Sequence, residues 1–406
     1  MTAPVSPRPS TRTLRARAAA RHSEYLADLG ALVAIDSGSY SPDGINRVAA
    51  WFADRLERYG ATTLTVPAGR HRGRALGSAL VARKKGARRA ADGGLRILLA
   101  GHMDTVFDDG TAADRPFTLS GSLAHGPGVS DDKGGLLAGL SALEILAEEG
   151  FDDYDEIVFL ATPDEEIGSP GSAPLTRSLA AEADFALALE CARENGDVVI
   201  ARKGVAEYLI TVTGKAAHAG IEPERGAHAA LAAAHLTIAL QSLNGQEDDA
   251  TINVGVVRSG SRPNIVPERA ELHIEVRATT TACLDRIGRA IEATAARLPV
   301  LGTTATVRQL DLCPPMEATG GNRRMLALAQ GAGRELGLAF GAASTGGVGD
   351  ANTIAATGTP VLDGLGPVGG ADHTPQEWLD TTTITDRITL LTLLIARLCH
   401  TDTTAT

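Results

Sequence analysis

Apolar positions along the chain fall into two rhythms, and each predicts a set of elements. Leu26, Leu29, Leu32 and Val33 recur at helical spacing and predict a helix over 23–35. A polar loop over 36–46 leads to a second helix over 47–59, closed by Gly60. Strand-like stretches follow at 62–66 and 76–82. Residues 95–100 form a short, continuously apolar run, the pattern of a buried parallel strand, and it leads straight into His102. Residues 133–149 read as a helix, with Leu136, Leu137, Leu140, Leu143 and Leu146 on one side and Gly150 at its end. Two further buried strands, 156–161 and 184–189, run into Glu165–Glu166 and Glu190, and a strand at 359–362 precedes a glycine-rich loop that carries His373.

From about residue 203 the rhythm changes. Strands are expected at 207–213, 251–257, 269–277 and 304–310, with helices at 227–244 and 281–298. In the third strand Ala270, Leu272, Ile274 and Val276 alternate onto one face. This β-α-β-β-α-β order is the ferredoxin-like arrangement. The expected architecture is therefore an α/β domain in two segments, 1–202 and 314–406, with a ferredoxin-like domain inserted at 203–313. A chain of 406 residues also favours two domains over one. The acidic and imidazole side chains of the α/β domain lie just past the carboxyl ends of strands, which is where sites assemble in open α/β sheets.

Composition changes this picture only at the margins. Hydrophobic content of 44% and charged content of 21% are those of a globular protein. A net charge of −11 argues against a general binder of nucleic acid or anionic membrane. No apolar run reaches the ~18–20 residues needed to span a bilayer. The first 22 residues, rich in arginine, lack the apolar core of a secretory signal and are expected to be a disordered start running into a helix. Eight Lys or Arg residues between Arg70 and Arg89 read as solvated hairpin loops, since no aromatic side chains interleave with them to stack bases. The four cysteines, Cys191, Cys283, Cys313 and Cys399, have no CxxC spacing and read as free thiols of a cytoplasmic protein.

The candidate chemistry centres on HGPGVSDDKGG, residues 125–135, which sets Asp131 and Asp132 on a turn that opens a helix. Carboxylates and imidazoles with a water suit a two-metal hydrolytic site, in which one carboxylate bridges ions ~3.5–4 Å apart. His102 and Asp104, two apart at a strand end, can face the same side, one as ligand and the other fixing its tautomer. Of Asp131 and Asp132, one can bridge metals while the other holds the turn. Of Glu165 and Glu166, one can ligate while the other acts as general base. Lys133 is placed to neutralise the aspartates.

In this order GHMDTV, HGPGVSDDKGG, TPDEEIGSPGS, ALECA, TGKAAHAG and GGADHT resemble the M20 family of metallopeptidases, in particular its carboxypeptidase G2-like branch, over residues 25–395. The resemblance implies a di-zinc catalytic domain with an inserted lid or dimerisation domain. It implies two Zn²⁺, with Co²⁺ or Mn²⁺ as substitutes: one held by His102 and Glu190, the other by Glu166 and His373, with Asp131 between them. It makes Glu165 the general base and Asp104 the residue that orients His102, with a cis peptide bond between Asp131 and Asp132. His218 would stabilise the oxyanion from a partner subunit of a homodimer formed through the lid. Asn264, Gly347 and Gly349 would hold the substrate, and His125 would be structural. The implied activity is hydrolysis of an amide or peptide bond in a small substrate by a metal-bridging hydroxide, of carboxypeptidase, dipeptidase or N-acyl-amino-acid deacylase type. One departure stands out. Relatives that release C-terminal glutamate carry an arginine near the lid's end, whereas residues 311–315 here have none and Arg308 is the nearest. The alternatives are a non-catalytic binding protein on the same fold, whose mark would be a lost ligand or base, and metal-dependent hydrolysis of a non-peptide substrate. Phosphoester chemistry would call for arginine or lysine clamps beyond Lys133.

Overall fold

A computed structural model describes residues 9–245 and 249–400, which divide into two compact units. The first comprises the chain through Ile200, Ala318–Ser344 and the stretch from Gly349; the second comprises Ala201–Glu317 and Thr345–Val348.

The first unit is built on a six-stranded sheet. Its strands lie in the order Thr62–Pro67, Ser78–Lys85, Glu156–Thr162, Arg96–His102, Phe185–Ala188 and Val361–Leu362. The last four run parallel and the first two are antiparallel additions at one edge. Every residue of Glu156–Thr162 is buried, as the unbroken apolar run requires of a strand covered on both faces. From Arg96–His102 the chain passes to a neighbour on one side, Glu156–Thr162, and then to a neighbour on the other, Phe185–Ala188. That reversal of strand order opens a crevice at the carboxyl ends. His102 is paired with Thr162 and Ala100 with Ala188, so all three strands deliver their following loops to the same level.

The helix Lys133–Glu148 packs on the Arg96–His102 strand. The leucine stripe predicts one buried side, yet Lys133 through Leu146 are buried on every side. The reason lies in Gly134, Gly135, Gly139 and Ala138, which let the backbone come close to the sheet, while helices His22–Val33 and Ile384–Leu398 cover the opposite side. Gly135 faces the Leu189 carbonyl and Gly139 the Leu189 side chain. On the same helix, buried Glu144 accepts Arg55 Nη2 at 2.9 Å and lies 3.6 Å from Arg21 Nε.

Three expectations are corrected. Residues 11–20, expected within a disordered start, form the helix Thr11–Ala20, capped by Ser10, whose side chain accepts the Thr13 N–H. The second predicted helix begins at Pro42 rather than at 47, since proline suits a helix's first turn. The basic run is not all loop: Arg83, Lys84 and Lys85 lie on a strand, where Arg83 and Lys85 both pair with Glu156.

The second unit holds a four-stranded antiparallel sheet, ordered Thr251–Ser259, Arg269–Ala278, Gly204–Thr213 and Thr304–Cys313. Its β-α-β-β-α-β order is completed by helices Ala229–Gln241 and Thr281–Ala295. Ala270, Leu272, Ile274 and Val276 alternate inward to a core shared with Ala206, Tyr208, Ile210 and Val212.

The close approach at Gly135 has a measurable consequence. A methyl group there would collide with the Leu189 carbonyl and with Asp132 Oδ1, whereas at Gly320 it would meet only the end of the Arg324 side chain. Gly135→Ala is expected to destabilise the protein by ~1–3 kcal/mol, and Gly320→Ala to be neutral or better. Thermal unfolding of both variants checks this.

Candidate metal centre

Five segments of the chain supply the centre, three of them at the ends of neighbouring strands. His102 ends its strand, Glu165 and Glu166 begin a single turn after Glu156–Thr162, and Glu190 follows Phe185–Ala188. Asp131 comes from the turn before the Lys133–Glu148 helix, and its peptide bond to Asp132 is cis. His373 is reached through the loop after Gly369–Gly370 and sits in the left-handed backbone region at φ 63°, a conformation uncommon outside glycine, and one in which histidine is enriched.

The Asp131 carboxylate lies between the two imidazoles. Its Oδ1 is 2.9 Å from His102 Nε2 and its Oδ2 is 3.1 Å from His373 Nε2. Glu190 Oε1 lies 3.6 Å from His102 Nε2, and Glu166 Oε2 lies 3.0 Å from His373 Nε2. Two three-residue groups result, His102–Asp131–Glu190 and Asp131–Glu166–His373, and in each the donor atoms lie within 4.8 Å of one another. Asp131 belongs to both. The structure thus brings together all five residues expected as ligands.

Asp104 does more than was expected of it. The His102 Nδ1–H donates to the Asp104 carbonyl oxygen at 3.0 Å, with the carboxylate further off at 3.4 Å. With Nδ1 engaged in this way, Nε2 is the ring nitrogen turned to Asp131. The Asp104 carboxylate accepts the backbone N–H groups of Glu165 at 3.1 Å and Glu166 at 3.2 Å. Ser39 Oγ donates to it as well, at 2.6 Å. Asp104 therefore fixes one imidazole and both glutamates.

Asp132 is fully buried between Gly101 and Gly135, with its Oδ2 accepting the His102 backbone N–H at 3.4 Å. Lys133 does not neutralise the aspartates, since its buried Nζ donates to the Ile35 carbonyl at 2.8 Å. Burial lowers it to about 8, against the fields of Glu377 and Asp36. His125 donates from Nδ1 to the Glu377 carbonyl at 3.0 Å, a structural contact.

The electrostatics are those of an acidic cluster short of cations. Among the described residues, Asp131, Asp132, Glu165 and Glu166 have no lysine or arginine ion-pair partner, and only imidazoles offset them. Burial, with Glu190 and Glu166 adding to it and His102 opposing, pushes the Glu165 carboxyl well up. Burial and Asp131 raise Glu166 despite the bond from His373, and burial, Glu190 and Asp131 raise Asp132. Hydrogen bonds from His102 and His373 overcome burial and hold Asp131 low. Burial pulls His102 down, but Asp104, Asp131, Glu190 and Glu165 outweigh it and hold the imidazole well up. His373, bonded to Asp131 and Glu166, is raised to about 11. The carboxylates thus favour positive charge at both imidazoles, as they would favour a bound cation. A donor set of imidazole nitrogen and carboxylate oxygen suits zinc, and the residues fit a pair of such ions.

Two carboxylates that the motifs did not single out hold the surrounding loops. Asp350, raised to about 6 chiefly by burial, accepts from Thr162 and Ser169 Oγ. Glu377, 1% exposed, accepts three N–H groups of the Asp131 turn. Its only sequence signal is its place four residues after His373.

The other expected site residues are placed as follows. His218 and Asn264 are exposed in the second unit, on adjoining segments, with the Ala219 N–H donating to the Asn264 carbonyl at 3.0 Å. His218 Nδ1 accepts the Gly220 N–H at 3.1 Å, which leaves Nε2–H as a free donor. Gly347 belongs to the second unit, where its carbonyl accepts from Arg202 at 3.3 Å. Gly349 belongs to the first, where its N–H donates to Asn352 Oδ1 at 3.0 Å.

Carboxylates and imidazoles gathered where the strand order reverses make a candidate metal centre of the kind metal-dependent hydrolases use. Residues 98–397 match peptidase family M20/M25/M40, and the chain belongs to that family. It is 31% identical to carboxypeptidase G2 of Pseudomonas sp. (strain RS-16), over 90% of this chain and 86% of that one. The fold is similar to that of aminopeptidase PepT from Bacillus cereus, with a TM-score of 0.77 at 24% identity, covering 93% of this chain and 98% of that one. It is also similar to the M20 family metallo-carboxypeptidase Sso-CP2 from Sulfolobus solfataricus, with a TM-score of 0.69 at 15% identity, covering 93% and 100%. The family is metal-dependent, and the peptidases among the relatives act on small peptide substrates. Among the described residues no helix is long and apolar enough to cross a membrane.

The raised imidazoles set the sign of a pH dependence. His373 is held at about 11 in the folded chain, above the ~6.5 of an unfolded histidine. Its contribution to stability is full below ~6.5 and fades as pH rises toward 11. Glu165, Glu166 and Asp132, also raised, act with the same sign from lower pH. The thermal midpoint of chelator-treated protein should therefore fall as pH rises from ~6.5 to 9, and less so in protein saturated with a divalent cation, which replaces the protons. A flat or rising profile for the chelated protein would contradict this.

Proposed function

We propose that the protein is a di-zinc hydrolase that cleaves an amide or peptide bond in a small substrate, of carboxypeptidase, dipeptidase or N-acyl-amino-acid deacylase type. The observation that carries this reading is the Asp131 carboxylate, whose two oxygens face two different imidazoles. His102 and Glu190 complete one zinc site with Asp131, and Glu166 and His373 the other. Zinc bound there supplies Lewis-acid polarisation of the scissile carbonyl and a water acidified to a pKa of about 7.

The chain's own residues do the rest. Glu165 takes the proton of the attacking water and delivers it to the leaving amine. Its carboxyl, pushed up by burial and its acidic neighbours, suits a group that must both take and return a proton near neutrality. Asp104 holds the Glu165 backbone and the His102 tautomer together. Asp132 keeps the turn that aims Asp131. His218 offers its Nε2–H to the oxyanion, and Asn264, Gly347 and Gly349 hold the substrate.

The chain divides functionally into a catalytic domain, residues 1–202 and 314–406, and a ferredoxin-like lid and dimerisation domain, residues 203–313. His218 reaches the site of a partner subunit in a homodimer. The lid's edge strand Thr251–Ser259 supports this, since it leaves Val256 and Val257 39% and 47% exposed in the single chain. The protein works in the cytoplasm, in keeping with its free cysteines.

The test is a screen of N-acyl amino acids, dipeptides and folate-type conjugates with zinc-loaded protein, followed by Glu165→Ala on the best substrate. The variant is expected to lose about 10²–10⁴ in kcat and to keep its zinc. Unchanged turnover would overturn the mechanism.

A further inference from the structure

Glu377 is a buried carboxylate without a catalytic assignment. Its Oε2 accepts the Gly128 N–H at 2.9 Å, and its Oε1 accepts the N–H groups of Ser130 at 3.0 Å and Asp131 at 3.1 Å. Buried carboxylates commonly stitch a turn together, and that alone would make Glu377 structural. Two facts set this one apart. Its donors flank and include Asp131, the residue common to both ligand groups. Its own position is four residues beyond His373, which shares a group with Asp131 across 242 residues of chain. A second tie joins the same two segments, with Ser130 Oγ donating to Asp372 Oδ1 at 2.7 Å. The strand Trp378–Asp380 then pairs with Leu123–His125, so the strand that leads into the Asp131 turn is anchored beside Glu377.

We propose that Glu377 is a positioning residue for the metal centre: it locks the Asp131 turn to the His373 loop, and so sets the spacing of ligands that come from opposite ends of the chain. This rests on the di-zinc reading. Loss of the carboxylate frees the peptide N–H of Asp131 itself, and because Asp131 serves both groups, both zinc sites weaken together. The requirement is for a full carboxylate. In Glu377→Gln one of the two oxygens becomes an NH₂, which faces either the Gly128 N–H or those of Ser130 and Asp131, donor against donor, so that the turn that carries the Asp131 N–H can no longer be held at both points.

Zinc affinity, measured by competition with a chromogenic chelator, is the readout, with kcat and the thermal midpoint of metal-free protein alongside. Glu377→Gln is expected to bind both zinc ions about 10–100-fold more weakly and to lose kcat in proportion to the zinc lost. Glu144→Gln is the control. It breaks the buried pairing with Arg55, about three helical turns from Lys133, and is expected to lose stability while keeping zinc affinity. Wild-type affinity in Glu377→Gln would overturn the proposal. So would an equal loss in Glu144→Gln, because the effect would then follow stability alone. Should Glu377→Gln not fold, Glu377→Asp, which keeps the charge but falls one methylene short, is judged by the same criteria. A wild-type protein that binds no zinc would remove the di-zinc reading, and this proposal with it.

Discussion

The two oxygens of one carboxylate, Asp131, meet two imidazoles that enter from opposite ends of the chain. His102 closes a central strand and His373 lies 271 residues later, yet each brings its Nε2 to about 3 Å from that carboxylate. So much acid cannot gather in a half-buried crevice unless cations or protons accompany it, because like charges raise one another's pKa. The raised Glu165, Glu166 and Asp132 carboxyls and the raised imidazoles all express that one constraint.

The scaffold holds this arrangement through backbone rather than bulk. Gly135 and Gly139 let the helix behind the Asp131 turn approach the Glu190 strand, which a larger residue would prevent. Asp104 and Glu377 are used alike: each spends its carboxylate on peptide N–H groups next to a ligand, the one at Glu165 and Glu166, the other at Asp131. A carboxylate that accepts N–H bonds from a loop fixes that loop's path more tightly than apolar packing does, since hydrogen bonds are directional.

How much of this was legible in sequence depends on the kind of signal. The parallel strands were, because a strand covered on both faces is an unbroken apolar run, as at 95–100 and 156–161. The candidate ligands His102, Glu166 and Glu190 were, because each sits at or just past such a run, whereas Asp131 and His373 lie on glycine-rich turns that follow short strands of another sheet. The helix starting at Pro42 was misplaced, because its first turn is polar and carries no periodicity. Ser39, Asp350 and Glu377 were silent for a different reason. Their partners, a carboxylate for Ser39, hydroxyls for Asp350 and backbone N–H groups for Glu377, lie far away in sequence, and no local pattern of residue types records such a contact. Lys133 misled for the opposite reason: adjacency to two aspartates suggested a charge pair, but the helix turn carries its side chain to the Ile35 carbonyl instead.

The central claim is that Asp131 is shared by two metal ions, with the five ligands divided around it. Anomalous scattering at the zinc edge from crystals of the zinc-loaded protein tests it most directly. Two peaks about 3.5–4 Å apart are expected, each within bonding distance of a different Asp131 oxygen. A single peak, or a pair in which only one touches Asp131, would contradict it.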